Sequence, residues 1–137
     1  MHLAKKLAAA TLPILLAALL AMAPAFAADP TGTWQSTGGE SRYRVTYCGD
    51  GTQLCAKLTW LRKDARTDEN LAYLNRYVVK GAVEAAANTW EGQLNYGGET
   101  FDGSLVMTSN NSLKLSGCKG VFCKTMNFDR IEAVAKL

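Results

Sequence analysis

Hydrophobic and polar residues alternate along most of the chain. In the segment 42–47, Tyr43, Val45 and Tyr47 occupy every second position, and basic or hydroxyl side chains stand between them. The same alternation returns in five later segments: 54–60, 90–96, 101–108, 113–115 and 125–129. A period of two residues is typical of a β-strand with one face buried and the other in water. The pattern therefore predicts a protein built almost entirely of half-buried strands.

Glycine and asparagine pairs separate these segments and predict tight turns. They stand at 38–39, 49–51, 97–98 and 109–111, and such residues tolerate the positive φ that hairpins need. Eight strands are predicted, near 33–37, 41–47, 54–62, 77–84, 89–96, 99–108, 112–118 and 123–131. Short connections favour antiparallel pairing of sequential strands. Since an open meander would expose two edges, we expect an eight-stranded up-and-down β-barrel.

The one long connection, from Arg62 to Arg76, is expected to contain a short helix between strands 3 and 4. Thr67 or Asp68 can cap its N-terminus, and Leu71 and Leu74 are predicted to lie on its inner side. As the longest loop, this connection is also the expected lid of any pocket in the barrel.

The first 27 residues read as a signal peptide. Lys5 and Lys6 precede an apolar run of 17 residues, and Ala25-Phe26-Ala27 forms a small-large-small cleavage site. A membrane-spanning helix is the alternative, but it needs about 20 apolar residues. We therefore expect cleavage after Ala27, a mature chain of residues 28–137, and a soluble periplasmic protein that does not span the membrane.

The mature chain is long enough for one small domain. Without Lys5 and Lys6 it carries 13 Lys and Arg against 12 Asp and Glu, so its formal net charge falls from +3 to +1. It has no block of basic residues. The composition therefore does not indicate a nucleic-acid partner.

The mature chain has four cysteines: Cys48, Cys55, Cys118 and Cys123. An even number in an exported chain indicates two disulfides, for which three pairings are open. Local pairing, Cys48 with Cys55 and Cys118 with Cys123, is favoured because each pair brackets a turn. A four-thiolate zinc site is the alternative, but six and four residues intervene where such sites prefer two to four. We therefore expect no metal and no cofactor.

The sequence argues against an enzyme. The single histidine, His2, leaves with the signal peptide, so the mature chain has no imidazole to activate a nucleophile. Glu91, Glu99 and Asp102 lie on neighbouring predicted strands and could form a glycosidase-type acid pair. They occupy polar or turn positions, however, which favours solvated surface.

Aromatic residues on the predicted inward faces are the candidates for a ligand pocket. Tyr43, Trp60, Trp90, Leu94 and Phe101 all hold the apolar phase of their strands. An eight-stranded barrel is just wide enough either to be filled by side chains or to hold one small ligand. The number of bulky inward groups favours a filled interior, and a cavity is the alternative.

Gly32 and Trp34 open the first predicted strand, and Arg130 lies on the last. They resemble the lipocalin-type signature, in which a Gly-x-Trp packs beneath an arginine of the closing strand. The chain from 30 to 131 resembles domain-of-unknown-function family 2147, small exported bacterial proteins. The matching segments are Gly32-x-Trp34, Tyr47-Cys48-Gly49, Leu54-Cys55-Ala56-Lys57, Trp90-Glu91-Gly92, Tyr96 through Gly103 and Leu113 through Gly120. The resemblance implies a lipocalin-like barrel and no agreed activity. We expect the guanidinium of Arg130 over the indole of Trp34.

Two functions of different classes follow from these observations. The first is a periplasmic binding module that holds a small apolar or amphipathic ligand. The second is an envelope interaction or assembly protein, in which a filled barrel serves as a scaffold and the loops contact a protein partner. A cavity of about 300 Å³ or more with one open mouth would favour the first function. A packed interior with an exposed apolar patch would favour the second.

Overall fold

The computed structural model describes residues 29–131 of the chain. The predicted signal peptide, residues 1–27, lies outside the described residues. Within them, the expected eight strands are present: β1 (Gly32–Ser36), β2 (Ser41–Cys48), β3 (Gln53–Leu61), β4 (Tyr77–Ala86), β5 (Thr89–Tyr96), β6 (Glu99–Ser109), β7 (Ser112–Lys119) and β8 (Phe122–Ile131). Among these residues, no helix is long and apolar enough to cross a membrane.

The strands form a closed antiparallel barrel, as the alternation predicted. Each strand pairs with the next along the chain, and β8 returns to pair with β1. The turns at 49–52, 87–88 and 110–111 lie at one end, which we call the closed end. The turns at 37–40, 97–98 and 120–121 lie at the other, which we call the open end. Residues 62–76, the rim segment, also belong to the open end.

Trp34 and Arg130 seal the closed end. They are direct partners in the β1–β8 ladder, and the guanidinium carbon of Arg130 lies 4.3 Å from the centre of the Trp34 ring. Trp34 is fully buried, and its indole N–H donates to the carbonyl of Pro30 at 2.9 Å. Arg130 also donates to the carbonyls of Asp29, Thr31 and Asn110. One arginine thus joins the two terminal strands to a turn between two others.

The buried side chains are concentrated at the closed end and along β3 and β4. They form one hydrophobic cluster: Trp34, Val45, Leu54, Ala56, Leu58, Leu61, Val78, Val79, Ala82, Trp90, Leu105, Met107, Leu113 and Phe128. The inward side chains of β5–β8 that lie nearer the open end are only half-buried or exposed. The barrel is therefore packed in one half and hollow in the other.

A β-bulge in β3 reverses the direction of Trp60. Tyr43 faces Leu58 across the β2–β3 ladder, but the next residue, Arg42, faces Trp60, so Thr59 is an extra residue. One inserted residue moves every later side chain to the opposite face. The alternation predicted that Trp60 would share the inward face of Leu58. The bulge instead places Trp60 on the opposite face. It lies under the guanidinium of Arg42, whose central carbon is 4.3 Å from the ring centre.

A row of three glycines crosses β5, β6 and β7. Gly92 faces Gly103, and Gly103 faces Gly117. A β-carbon on Gly92 would lie 2.9 Å from the α-carbon of Ala82 on β4, closer than real contacts allow. Gly92 is therefore required because the β4 backbone approaches it closely.

The rim segment contains the short helix that the sequence predicted. A 3-10 turn, Lys63–Ala65, precedes helix α1 (Asp68–Leu71), and the Thr67 side chain caps α1 by accepting from the Asn70 N–H at 3.2 Å. Leu74 packs against the core as expected. Leu71 does not: its side chain is 40% exposed, because α1 ends after one turn and buries none of its residues.

The four cysteines form the two predicted local pairs. Cys48 and Cys55 join β2 to β3 with their α-carbons 5.9 Å apart, and Cys118 and Cys123 join β7 to β8 with a 4.1 Å separation. The first pair lies at the closed end and the second at the open end. Each braces a single hairpin.

We expect the Trp34–Arg130 contact to be a measurable part of the stability. Trp34→Ala should lower the free energy of unfolding by about 3–5 kcal/mol, while the exposed change Lys114→Ala should stay within about 0.5 kcal/mol. In a double-mutant cycle of Trp34→Phe and Arg130→Gln, measured by urea unfolding, a coupling of about 0.5–2 kcal/mol is expected. A coupling near zero would mean that the backbone ladder alone closes the barrel.

A second prediction concerns the stability of variants in the glycine row. Gly92→Ala should lower the free energy of unfolding by about 1–3 kcal/mol, because the new methyl group meets backbone that cannot move away. Gly117→Ala is the matched control, since its methyl group would meet the flexible Leu94 side chain at 3.3 Å and should cost under about 1 kcal/mol. Equal losses for the two variants in the same urea titrations would contradict the view that the close approach of the β4 backbone requires Gly92.

Candidate ligand cavity

The hollow half of the barrel encloses a cavity of about 850 Å³. Its floor and lower wall consist of core side chains that include Trp34, Val45, Leu113 and Phe128. Tyr43 packs edge-on against Phe128, with 5.5 Å between ring centres. Because the closed half is tightly packed, the cavity opens only toward the open end of the described barrel.

The upper wall is formed by inward residues of β5–β8. Leu94, Phe101, Leu115 and Met126 line it, and Gly117 contributes no side chain. These residues hold the inward phase of their strands, yet they keep part of their surface accessible because nothing fills the space in front of them. The cavity therefore arises from a difference in side-chain volume. Inward side chains fill the barrel at the closed end, and those nearer the open end leave space between them.

Three of the five residues that the sequence proposed for a pocket line this cavity: Tyr43, Leu94 and Phe101. Trp90 does not; it is buried in the wall beside Gly92 and borders only a gap of about 10 Å³. Trp60 does not either, because of the β3 bulge.

The sequence reasoning missed the contribution of β7 and β8. Leu115, Met126, Phe122 and two lysines line the cavity from this side. The alternation already placed Leu115 and Met126 on an apolar phase, and carrying that phase outward to Lys119 and Lys124 would have found the rim. The predicted pocket was built mainly from aromatic residues and therefore did not include these side chains.

Charged side chains surround the opening. Lys119 and Lys124 line the β7–β8 side, and the amino group of Lys119 lies 2.7 Å from a carboxylate oxygen of Glu99. Glu69, on the rim segment between β3 and β4, lies across the opening from the two lysines, and Glu40 lines the cavity from the β1–β2 turn. The cavity therefore has an apolar interior and a polar opening with both signs of charge.

The rim segment reaches over the opening and is held to the β5–β6 turn. The rings of Tyr73 and Tyr96 stack with their centres 4.7 Å apart. The Tyr96 hydroxyl donates to the side-chain oxygen of Asn70, and the Gly98 N–H donates to the Tyr73 hydroxyl at 2.7 Å. These contacts, which we call the tyrosine latch, join the rim segment to the hairpin across from its attachment to β3.

Two phenols in the cavity wall stay neutral at physiological pH. Burial raises the pKa of Tyr96 to about 12, and the nearby Tyr43, Glu69 and Tyr73 add to the effect. Burial also raises the pKa of Tyr43, which the Ser41 side chain partly offsets. Neither phenol therefore adds a charge to the cavity, and the Tyr43 hydroxyl can donate a hydrogen bond to a ligand, whereas the Tyr96 hydroxyl already donates to Asn70.

The ionisable residues of the cavity do not converge. Its carboxylates, its amines and the Asn70 amide belong to residues of the rim segment or of strands and turns at the open end. Across residues 29–131, no three Cys, His, Asp or Glu side chains are grouped to hold a metal ion. What the cavity offers is apolar surface below and hydrogen-bonding groups at the opening.

Comparison with known proteins gives one match. The family described as uncharacterized protein conserved in bacteria (DUF2147) matches residues 32–130, which is nearly the whole described barrel from the start of β1 to the closing arginine. No curated protein and no solved structure matches the chain. The resemblance seen in the sequence is thereby confirmed: the chain belongs to the DUF2147 family of bacterial proteins.

Proposed function

We propose that this protein is an exported, non-enzymatic binding module that holds one small apolar or amphipathic ligand in the periplasm. The observation that carries the proposal is the 850 Å³ cavity with an apolar interior and a polar opening. Small-molecule sites typically enclose 300–1,000 Å³ and combine apolar walls with a few placed polar groups.

The division of polarity along the barrel axis favours an amphipathic ligand. Its apolar part would lie against Leu94, Leu115 and Phe128, which line the cavity. Its polar part would stay near Asn70 and Tyr96 at the opening. A wholly polar ligand would lose its hydration in the interior without gaining hydrogen bonds there.

The tyrosine latch suggests how a ligand is covered. The Asn75 N–H donates to the Leu58 carbonyl and the Leu58 N–H donates to the Arg76 carbonyl, and these two bonds hold the far end of the rim segment to β3. Between its ends, α1 buries none of its residues. Opening the latch would uncover the cavity by breaking the Tyr73–Tyr96 stack, and α1 itself would expose no buried residue.

Export and the absence of catalysis are supported by chemistry. Two disulfides fit an oxidising compartment, and the N-terminal pattern is that of a cleaved signal. After His2 the chain has no histidine, and all four cysteines are paired, so the usual activated nucleophiles are missing. The scaffold alternative required a filled barrel, and a hollow one favours ligand binding.

The proposal predicts that the protein carries a ligand when it is purified from its own periplasm without denaturant. Native mass spectrometry should show a small-molecule adduct. Leu115→Trp, which fills part of the cavity, should lower its occupancy by about tenfold if the larger side chain displaces even one or two ligand methylenes.

Lys114→Trp is the matched control, because its side chain adjoins Leu115 but is exposed outside the barrel. It should leave the adduct unchanged. The binding function would be refuted if the purified protein carried no adduct and if its tryptophan fluorescence were not quenched by any of a panel of fatty acids and isoprenoids. Equal occupancy in both variants would place the ligand elsewhere.

A further inference from the structure

The turn between β7 and β8 presents the most exposed large apolar residues of the described chain. Val121 is 90% exposed and Phe122 is 81% exposed, whereas Val83, the next in order, is 55% exposed. Leaving two such side chains in water is unfavourable unless they meet a partner. We call residues 119–124 the apolar tip.

The apolar tip is continuous with the cavity. Phe122 is exposed to solvent and also lines the cavity, and Met126, 43% exposed, follows it down the same face of β8. An apolar surface therefore runs from the interior of the barrel over Met126 and Phe122 to Val121. A ligand that leaves the cavity over Met126 and Phe122 would stay in contact with apolar side chains until it reaches the partner bound by the apolar tip.

Two lysines flank the exposed residues. Lys119 precedes the turn on β7 and Lys124 follows it on β8. Lys119 pairs with Glu99, but both side chains are more than half exposed, so water and other anions compete with this pair. Lys124 forms no ion pair with any other described residue. Apolar residues between basic ones are typical of segments that enter the headgroup region of an anionic bilayer.

The tip is also preorganised. Cys118 and Cys123 face each other across the hairpin and are joined by a disulfide immediately before the exposed residues. A braced hairpin loses little conformational freedom on binding. A peptide partner would gain less here, because the closed barrel gives it no unpaired strand to extend.

From these observations we propose that the apolar tip inserts into the surface of a bilayer containing anionic lipids and turns the open end toward the membrane. Val121 and Phe122 would enter the boundary between headgroups and acyl chains, and Lys119 and Lys124 would contact lipid phosphates. Glu69, on the rim segment, lies across the opening, so the barrel would tilt to keep that side in water. The binding of the tip stands by itself, whereas the transfer of a ligand to or from the membrane rests on the proposed function.

Vesicle flotation of the full mature protein tests the inference. The wild type should float with vesicles of phosphatidylglycerol and phosphatidylethanolamine, and much less with pure phosphatidylcholine. The double variant Val121→Ser/Phe122→Ser should lower the bound fraction at least about tenfold, since both apolar side chains are lost. Lys124→Gln should weaken binding less, and added salt should remove most of its effect.

The control is Val83→Ser, which removes an exposed valine from β4, away from the open end; it should bind as the wild type does. No flotation, or equal flotation of the tip variant, would overturn the inference. So would tip-dependent crosslinking to an envelope protein without binding to vesicles.

Ligand occupancy separates this inference from the cavity proposal. The single variant Val121→Ser, at a residue that does not line the cavity, should lose part of its flotation and keep its ligand in native mass spectrometry, and Leu115→Trp should still float. Loss of flotation by Leu115→Trp would indicate that membrane binding requires a ligand in the cavity, which would overturn the proposal that the tip binds by itself.

Discussion

Pairing of β1 with β8 is the constraint on which the rest of the structure depends. Without it, the sheet would have two open edges and no interior. The pairing places Trp34 against Arg130, and Arg130 in turn reaches the carbonyls of Thr31 and Asn110. The closed end is therefore held by one cation surrounded by backbone oxygens, and this floor gives the cavity only one opening.

Closure fixes the circumference of the barrel, and the inward side chains decide how much of it is filled. Leu105, Leu113 and Phe128 fill the closed half, whereas positions of the same phase nearer the opening include Gly117. Loss of side-chain volume along these strands leaves space at the open end. The inward-facing positions of the same strands thus form the packed core at the closed end and the cavity wall at the open end.

Alternation and turn residues were enough to predict the eight strands, their order and both cysteine pairs, because period two and glycine-rich turns are local signals. The direction of Trp60 was not predictable in this way. An extra residue at Thr59 is recognised only from its partners on β2, although the adjacent apolar pair Trp60 and Leu61 breaks the alternation. Whether the barrel is hollow was left open for a similar reason: the volume depends on how the inward side chains of several strands fill the interior together, and Gly117 contributes none.

The two disulfides have a consequence for the folding rate. They link residues only seven and five positions apart, so each shortens little of the unfolded chain. The contact between Arg130 and Thr31 spans 99 positions and has no covalent support. Closing so long a loop costs entropy before its contacts form, which slows folding. We therefore expect hairpins to form early and the meeting of the two terminal strands to limit the rate, with oxidation of the cysteines accelerating it little.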